Sequence, residues 1–219
     1  MQAFQRPVVE NEEFLDAAGA PIAYGTRWGG GSPPENMYSV TTHPQRFAPL
    51  EKIADALIEW LVGEFDAEAV DSLEVASDVV TPLVRDGKSE IARAVRVTPA
   101  EPSAARITVI YTLFPGIVVH AGLLHDFLFP VCGCDACDEP WDGTADDLEW
   151  TLRTIVGGGY SETYDPERSL AVGFALSEDG VGGRSGSTGH SDIPVGRLDA
   201  AIPVLTGGRQ WSAWPERGR

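Results

Sequence analysis

The chain has three cysteines, Cys132, Cys134 and Cys137, and all of them fall within six residues as Cys-x-Cys-x-x-Cys. This is the pattern with the most chemical meaning in the sequence. Zinc takes thiolate or imidazole ligands in a tetrahedron, and short spacings let one turn of chain wrap the ion. Gly133 gives that turn the backbone freedom it needs. Three thiolates leave one coordination position. His120 and His125, just upstream, are the nitrogen candidates for it, and Asp135, Asp138 and Glu139 are the oxygen candidates. A carboxylate or water there would make the site more open than a purely structural one. Two other readings remain: unligated thiols in a loop, or a redox or nucleophilic thiol. The last needs electropositive surroundings. The neighbouring Asp135, Asp138 and Glu139 should instead raise a thiol pKa, while attracting a metal.

Other candidates carry less. A lone strand histidine is most often a hydrogen-bonded structural residue. With Pro115-Gly116 as the turn of a hairpin, Tyr111, Leu113, Val118 and His120 share one face. His125 and Asp126 are adjacent, so on a strand they point to opposite faces and make no dyad. Ser185, Ser187, Thr188, His190 and Asp192 contain the residue types of a hydrolytic triad, but Ser187 stands where a Gly-x-Ser-x-Gly elbow needs glycine. Gly29-Gly30-Gly31 lacks the following Gly-Lys-Ser/Thr of a phosphate loop and reads as a flexible turn.

The elements that must position these residues are legible by periodicity. Leu50, Ile53, Leu57, Trp60 and Leu61 recur at helical spacing, which predicts a helix over 49–66 opened by Pro49. Alternating apolar residues predict strands over 89–98, 107–114 and 117–121, with a third meander strand over 123–129. Thr144 is the expected N-cap of a second helix that stops at Gly157-Gly158-Gly159. Residues 160–176 alternate and should rejoin the sheet, 180–192 read as a Gly/Ser loop, and 195–205 as a short last helix. The order implies an α+β fold, with a largely antiparallel sheet of about four to six strands and helices packed on one face. Residues 1–45, rich in Gly, Pro and polar groups, are expected to form an arm anchored by Tyr24, Trp28, Met37 and Tyr38. Residues 46–219 are expected to form a single domain with a Cys-rich loop at 130–141.

Composition bounds the partners. A net charge of −17 without any Lys/Arg run repels phosphate backbones and anionic lipid, so neither nucleic acid nor a membrane is the expected partner. No cationic segment followed by an apolar run opens the chain, and the clustered, odd number of cysteines does not build a disulfide framework; a cytoplasmic protein with reduced thiols is expected.

The segment Phe129-Pro130-Val131-Cys132-Gly133-Cys134-Asp135-Ala136-Cys137-Asp138-Glu139 resembles a family of high-GC, actinomycete-type bacterial proteins of unknown function. The likeness extends through Phe114-Pro115-Gly116, His120-Ala121-Gly122 and the helix from Arg46-Phe47 to Trp60. It implies a cytosolic domain and brings no activity, ligand or catalytic residue with it. The expected function is therefore non-enzymatic binding of an unidentified protein or small molecule, or regulation through such binding, with zinc as the cofactor of the cysteine loop. The alternative is a zinc-dependent hydrolase using the same cysteines.

Overall fold

A computed structural model describes residues 2–85, 88–165, 171–189 and 193–218. Its centre is a five-stranded antiparallel sheet. Strand β1 (Ala67–Asp71) leads through a 3-10 turn (Leu73–Asp78) and a small hairpin of β2 (Val84–Arg85) and β3 (Lys88–Ser89) to β4 (Ile91–Pro99). Then follow β5 (Ile107–Thr112), β6 (Ile117–Ala121) and β7 (His125–Phe129), in the spatial order β1-β4-β5-β6-β7. Every residue of β5 and β6 is buried, because both faces of the sheet are covered. Helix α1 (Pro49–Glu64) lays Leu50, Ile53, Leu57 and Leu61 on one face, and α2 (Trp141–Val156) adds Leu148, Leu152 and Ile155 beside them. Each such side chain contributes on the order of 1.5–3 kcal/mol by leaving water. The opposite face, with Ala94, Ile110 and Val118, is covered by Val75 and its neighbours.

The α+β architecture and its antiparallel sheet are as the sequence implies. Residues 160–176 do not rejoin that sheet, however. They supply β8 (Tyr160–Asp165) and the start of β9 (Ala171–Glu178), which with β10 (Gly182–Gly189) and β11 (Arg209–Gln210) form a second sheet in the order β10-β9-β8-β11. The Gly/Ser stretch is thus mostly strand: β10 pairs along its whole length with β9, and its glycines let it lie close to its neighbour. Gly186 is one case, since a Cβ there would come within 2.8 Å of the Phe174 ring. Helix α3 (Val195–Leu205) packs Leu198, Ala201 and Leu205 with Tyr164 and Val172 of this sheet. Helix α2 starts at Trp141, one turn before the expected cap; Thr144 lies inside it and donates its hydroxyl to the Pro140 carbonyl. His190 and Asp192 lie outside the described residues.

The register of the central hairpin also differs from expectation. Tyr111 pairs with Ile117 and Thr108 with His120, so 112–116 form the connection rather than a two-residue turn. An odd slip moves every side chain to the other face. His120 therefore shares a face with Thr108 and Val118, and Tyr111 lies on the α1 side, donating to Asp55 at 2.6 Å.

Residues 2–11 run along α1 and α2. Phe4 meets the Trp60 ring edge-on, Arg6 pairs with Asp146 and Glu149, and Trp141 donates to Asn11. No helix among the described residues is long and apolar enough to cross a membrane.

Candidate metal centre

The cysteine loop leaves β7 through a cis Phe129–Pro130 bond and ends where α2 begins. Between those points the sulfurs of Cys132, Cys134 and Cys137 all lie within 4.8 Å of one another, with Cys134 and Cys137 3.5 Å apart. Cys134 is buried, while Cys132 and Cys137 are exposed. Gly133 has φ +73, and a Cβ on it would meet the Phe114 ring at 2.9 Å and Pro130 at 3.1 Å, so both conformation and packing require glycine there.

Charge holds the loop in this shape. Glu139 accepts from the N–H groups of Cys132 (3.3 Å) and Gly133 (2.9 Å), closing the first turn. Asp135 is buried and accepts from Thr42 N–H at 3.2 Å, with Arg46 at 3.7 Å and Arg27 at 3.8 Å. Asp138, at φ +54, takes both the Arg27 side chain (2.6 Å) and the Arg27 backbone N–H (2.9 Å). Arg46, only 2% exposed, donates to the carbonyls of Gly133 (2.8 Å) and His43 (3.1 Å) and stacks on the Tyr24 and Phe47 rings. Backbone bonds from Asp135 to Val40 and from Ala136 to Met37, with Trp28 donating to the Ala136 carbonyl, complete the cradle.

The loop acids lie outside the sulfur cluster. Each is committed to an arginine or to backbone donors, and the expected rise in thiol pKa holds for Cys137 but not for Cys134. Burial pushes Cys134 up, but a hydrogen bond with Cys132 and N–H groups of Cys137 and Ser39 aimed at its sulfur outweigh it and bring Cys134 down to about 7. Burial and the two neighbouring thiols push Cys137 up to about 12. The N–H of Cys137 donating back to Cys134 across Cys-x-x-Cys favours a thiolate there, the form in which cysteine binds metal.

Neither upstream histidine joins the sulfurs. β7 runs from His125 to Phe129 before the loop begins, and at about 3.3 Å per residue this carries His125 roughly 13 Å away. His125 stacks on Phe174 and meets Phe127 edge-on, and burial lowers its pKa to about 4. His120 pairs across the strand with Asp126, its Nδ1 2.7 Å from the carboxylate. Asp126 faces away from His125, as adjacency on a strand requires. It also accepts from Val80 and Thr81 N–H; burial pushes its pKa up, but the bond to His120, with the smaller help of Thr81, outweighs this and holds it low. Among the described residues, Cys132, Cys134 and Cys137 form the cluster of potential ligands, without a histidine or carboxylate in it. The residues that sequence reasoning missed are Arg27 and Arg46. Their signal was indirect: three acids crowded around three thiols call for cations, and Arg27 lies in the Gly/Pro-rich arm with Arg46 directly after it.

Fold and site together describe an α+β protein with a braced three-thiol centre. The chain belongs to a family of unknown function, DUF6226, whose sequence profile matches residues 10–218. No curated protein and no solved structure matches it.

Proposed function

We propose that this chain is a cytoplasmic, non-enzymatic binding or regulatory protein that carries zinc on Cys132, Cys134 and Cys137. The observation behind this reading is the convergence of the three sulfurs within 4.8 Å on a loop already shaped by buried charge. Thiolate donors favour zinc over the harder cations. The partner is a protein or small molecule. A net charge of −17 argues against nucleic acid and anionic membranes. The test is elemental analysis of protein purified without chelator, with about one zinc per chain expected because adjacent thiolates bind it tightly at neutral pH. Metal-free protein that also fails to take up added zinc refutes the reading.

One observation favours the alternative of a zinc hydrolase. Cys132 lines a cleft of about 450 Å³ with Thr41, Thr112 and Phe114, which would give substrate a place beside the metal. Against it, three thiolates more than neutralise a zinc ion and weaken its pull on a bound water, whereas catalytic zinc sites mostly use neutral imidazoles with at most two anionic ligands. A structural or binding site predicts that Cys134→Ser lowers stability. A catalytic one predicts turnover lost with the fold little changed.

A further inference from the structure

We infer that the three-sulfur centre completes its coordination with a neutral nitrogen donor of the imidazole class, supplied from outside the described residues. The inference rests on the metal reading above and names what the site binds. Zinc held by three sulfurs requires a fourth ligand to be tetrahedral. The chain's nearby carboxylates are spent: Asp135 on Thr42, Arg46 and Arg27, Asp138 on Arg27, and Glu139 on the N–H groups of Cys132 and Gly133. Recruiting any of them would strip a partly or fully buried charge of its partners. The described imidazoles are committed as well, His43 to Tyr24 and Thr42, His120 to Asp126, and His125 to two aromatic rings.

Burial gives the direction of the open position. Cys134 is the inner ligand, while Cys132 and Cys137 are exposed, so the metal lies at the surface with its remaining face outward. Charge selects the donor. Zinc on three thiolates carries one net negative charge, and the three loop carboxylates outnumber their two arginine partners by one. A fourth thiolate or a carboxylate would add to that excess; an imidazole adds nothing. Val131, 67% exposed, and Tyr38, 53% exposed, stand beside the loop and offer apolar contact to whatever molecule carries the donor.

The full chain loaded with cobalt(II) provides the test. Thiolate-to-cobalt charge transfer reports the three sulfurs, and the visible d–d bands report the fourth ligand. The expected result is a charge-transfer band together with a saturable shift of the d–d bands on titration with free imidazole, and a much smaller shift with acetate or 2-mercaptoethanol. Sedimentation of the cobalt-loaded chain locates the natural donor. Metal-dependent dimers that imidazole dissociates assign it to a second copy, and a monomer that responds to imidazole assigns it to another molecule. A charge-transfer band whose d–d envelope ignores imidazole, or responds equally to acetate, overturns this inference and leaves the metal reading standing. Absence of the charge-transfer band removes both.

Discussion

Arg46 links the arm to the cysteine loop, and its replacement by methionine gives the sharpest test of how that loop is held. Methionine keeps most of the apolar length against Tyr24 and Phe47 and removes the guanidinium. Three carbonyls, those of Gly133, His43 and Glu139, then lose a donor, and buried Asp135 keeps only Arg27 at 3.8 Å and Thr42 N–H. Desolvation already lowers the Arg46 pKa, a sign that burial opposes its charge and that its partners are what hold it. Removing one member of a buried ion pair costs about 3–5 kcal/mol, mainly because the other charge is left uncompensated. Part of this returns if the orphan is neutralised. Asp135→Asn in the same chain should recover at least ~1 kcal/mol relative to the sum of the single effects, as contacting residues in one network do not add. Urea unfolding of wild type, both single variants and the double variant measures all four corners of the cycle. A loss below ~1 kcal/mol for Arg46→Met, within the range of an ordinary surface change, would refute the argument. Strict additivity would refute the coupling.

Two further outcomes follow from the same geometry. His125, with a folded pKa of about 4 against 6.5 unfolded, binds its proton more readily when unfolded, so its titration leaves stability unchanged with pH above about 6.5 and lowers it as pH falls from there towards 4. At about 1.4 kcal/mol per unit the loss reaches roughly 3 kcal/mol; denaturant titrations of wild type and His125→Gln should show a shallower acid slope in the variant, and parallel slopes would contradict it. Duplex DNA should not bind measurably at physiological salt given the net charge of −17, and a salt-sensitive mobility shift at micromolar protein would reveal a basic face.

Periodicity made the main elements readable because burial imposes it. The α1 stripe from Leu50 to Leu61 and the apolar run of β5 are each explained by the surface they cover. Where side chains do not decide the structure, the sequence was silent. β10 is Gly-Gly-Arg-Ser-Gly-Ser-Thr-Gly, a composition that reads as loop and becomes a strand through backbone pairing with β9. β1 exposes four of its five residues and shows little alternation, so it left no signal. The faces of the central hairpin depended on the length of one connection, and a shift of three residues in pairing was enough to bring His120 opposite Thr108 instead of Tyr111. At the site, residue type marked the three sulfurs, whereas the roles of their acidic neighbours were set by arginines about 90 to 110 residues away.

That distance bears on how metal and fold are coupled. A small zinc domain is unfolded without its ion because nothing else orders the ligands, and the binding energy appears as folding energy. Here the loop is ordered by its own bonds: Glu139 closes its first turn, Asp138 and Arg27 close its last, and Arg46 fixes the Gly133 carbonyl between Cys132 and Cys134. The entropy of gathering the thiols is thus met by the protein, and preorganisation of this kind strengthens binding by lowering the cost of ordering. Chelation should then lower the melting temperature by the binding energy of the metal alone, with the sheets and helices intact, and Cys134→Ser should reproduce that loss. Removing Arg27 or Arg46 should do the converse, weakening zinc affinity without touching a sulfur, because the cation that shapes the loop and the thiols that would grip the metal lie on different parts of the chain.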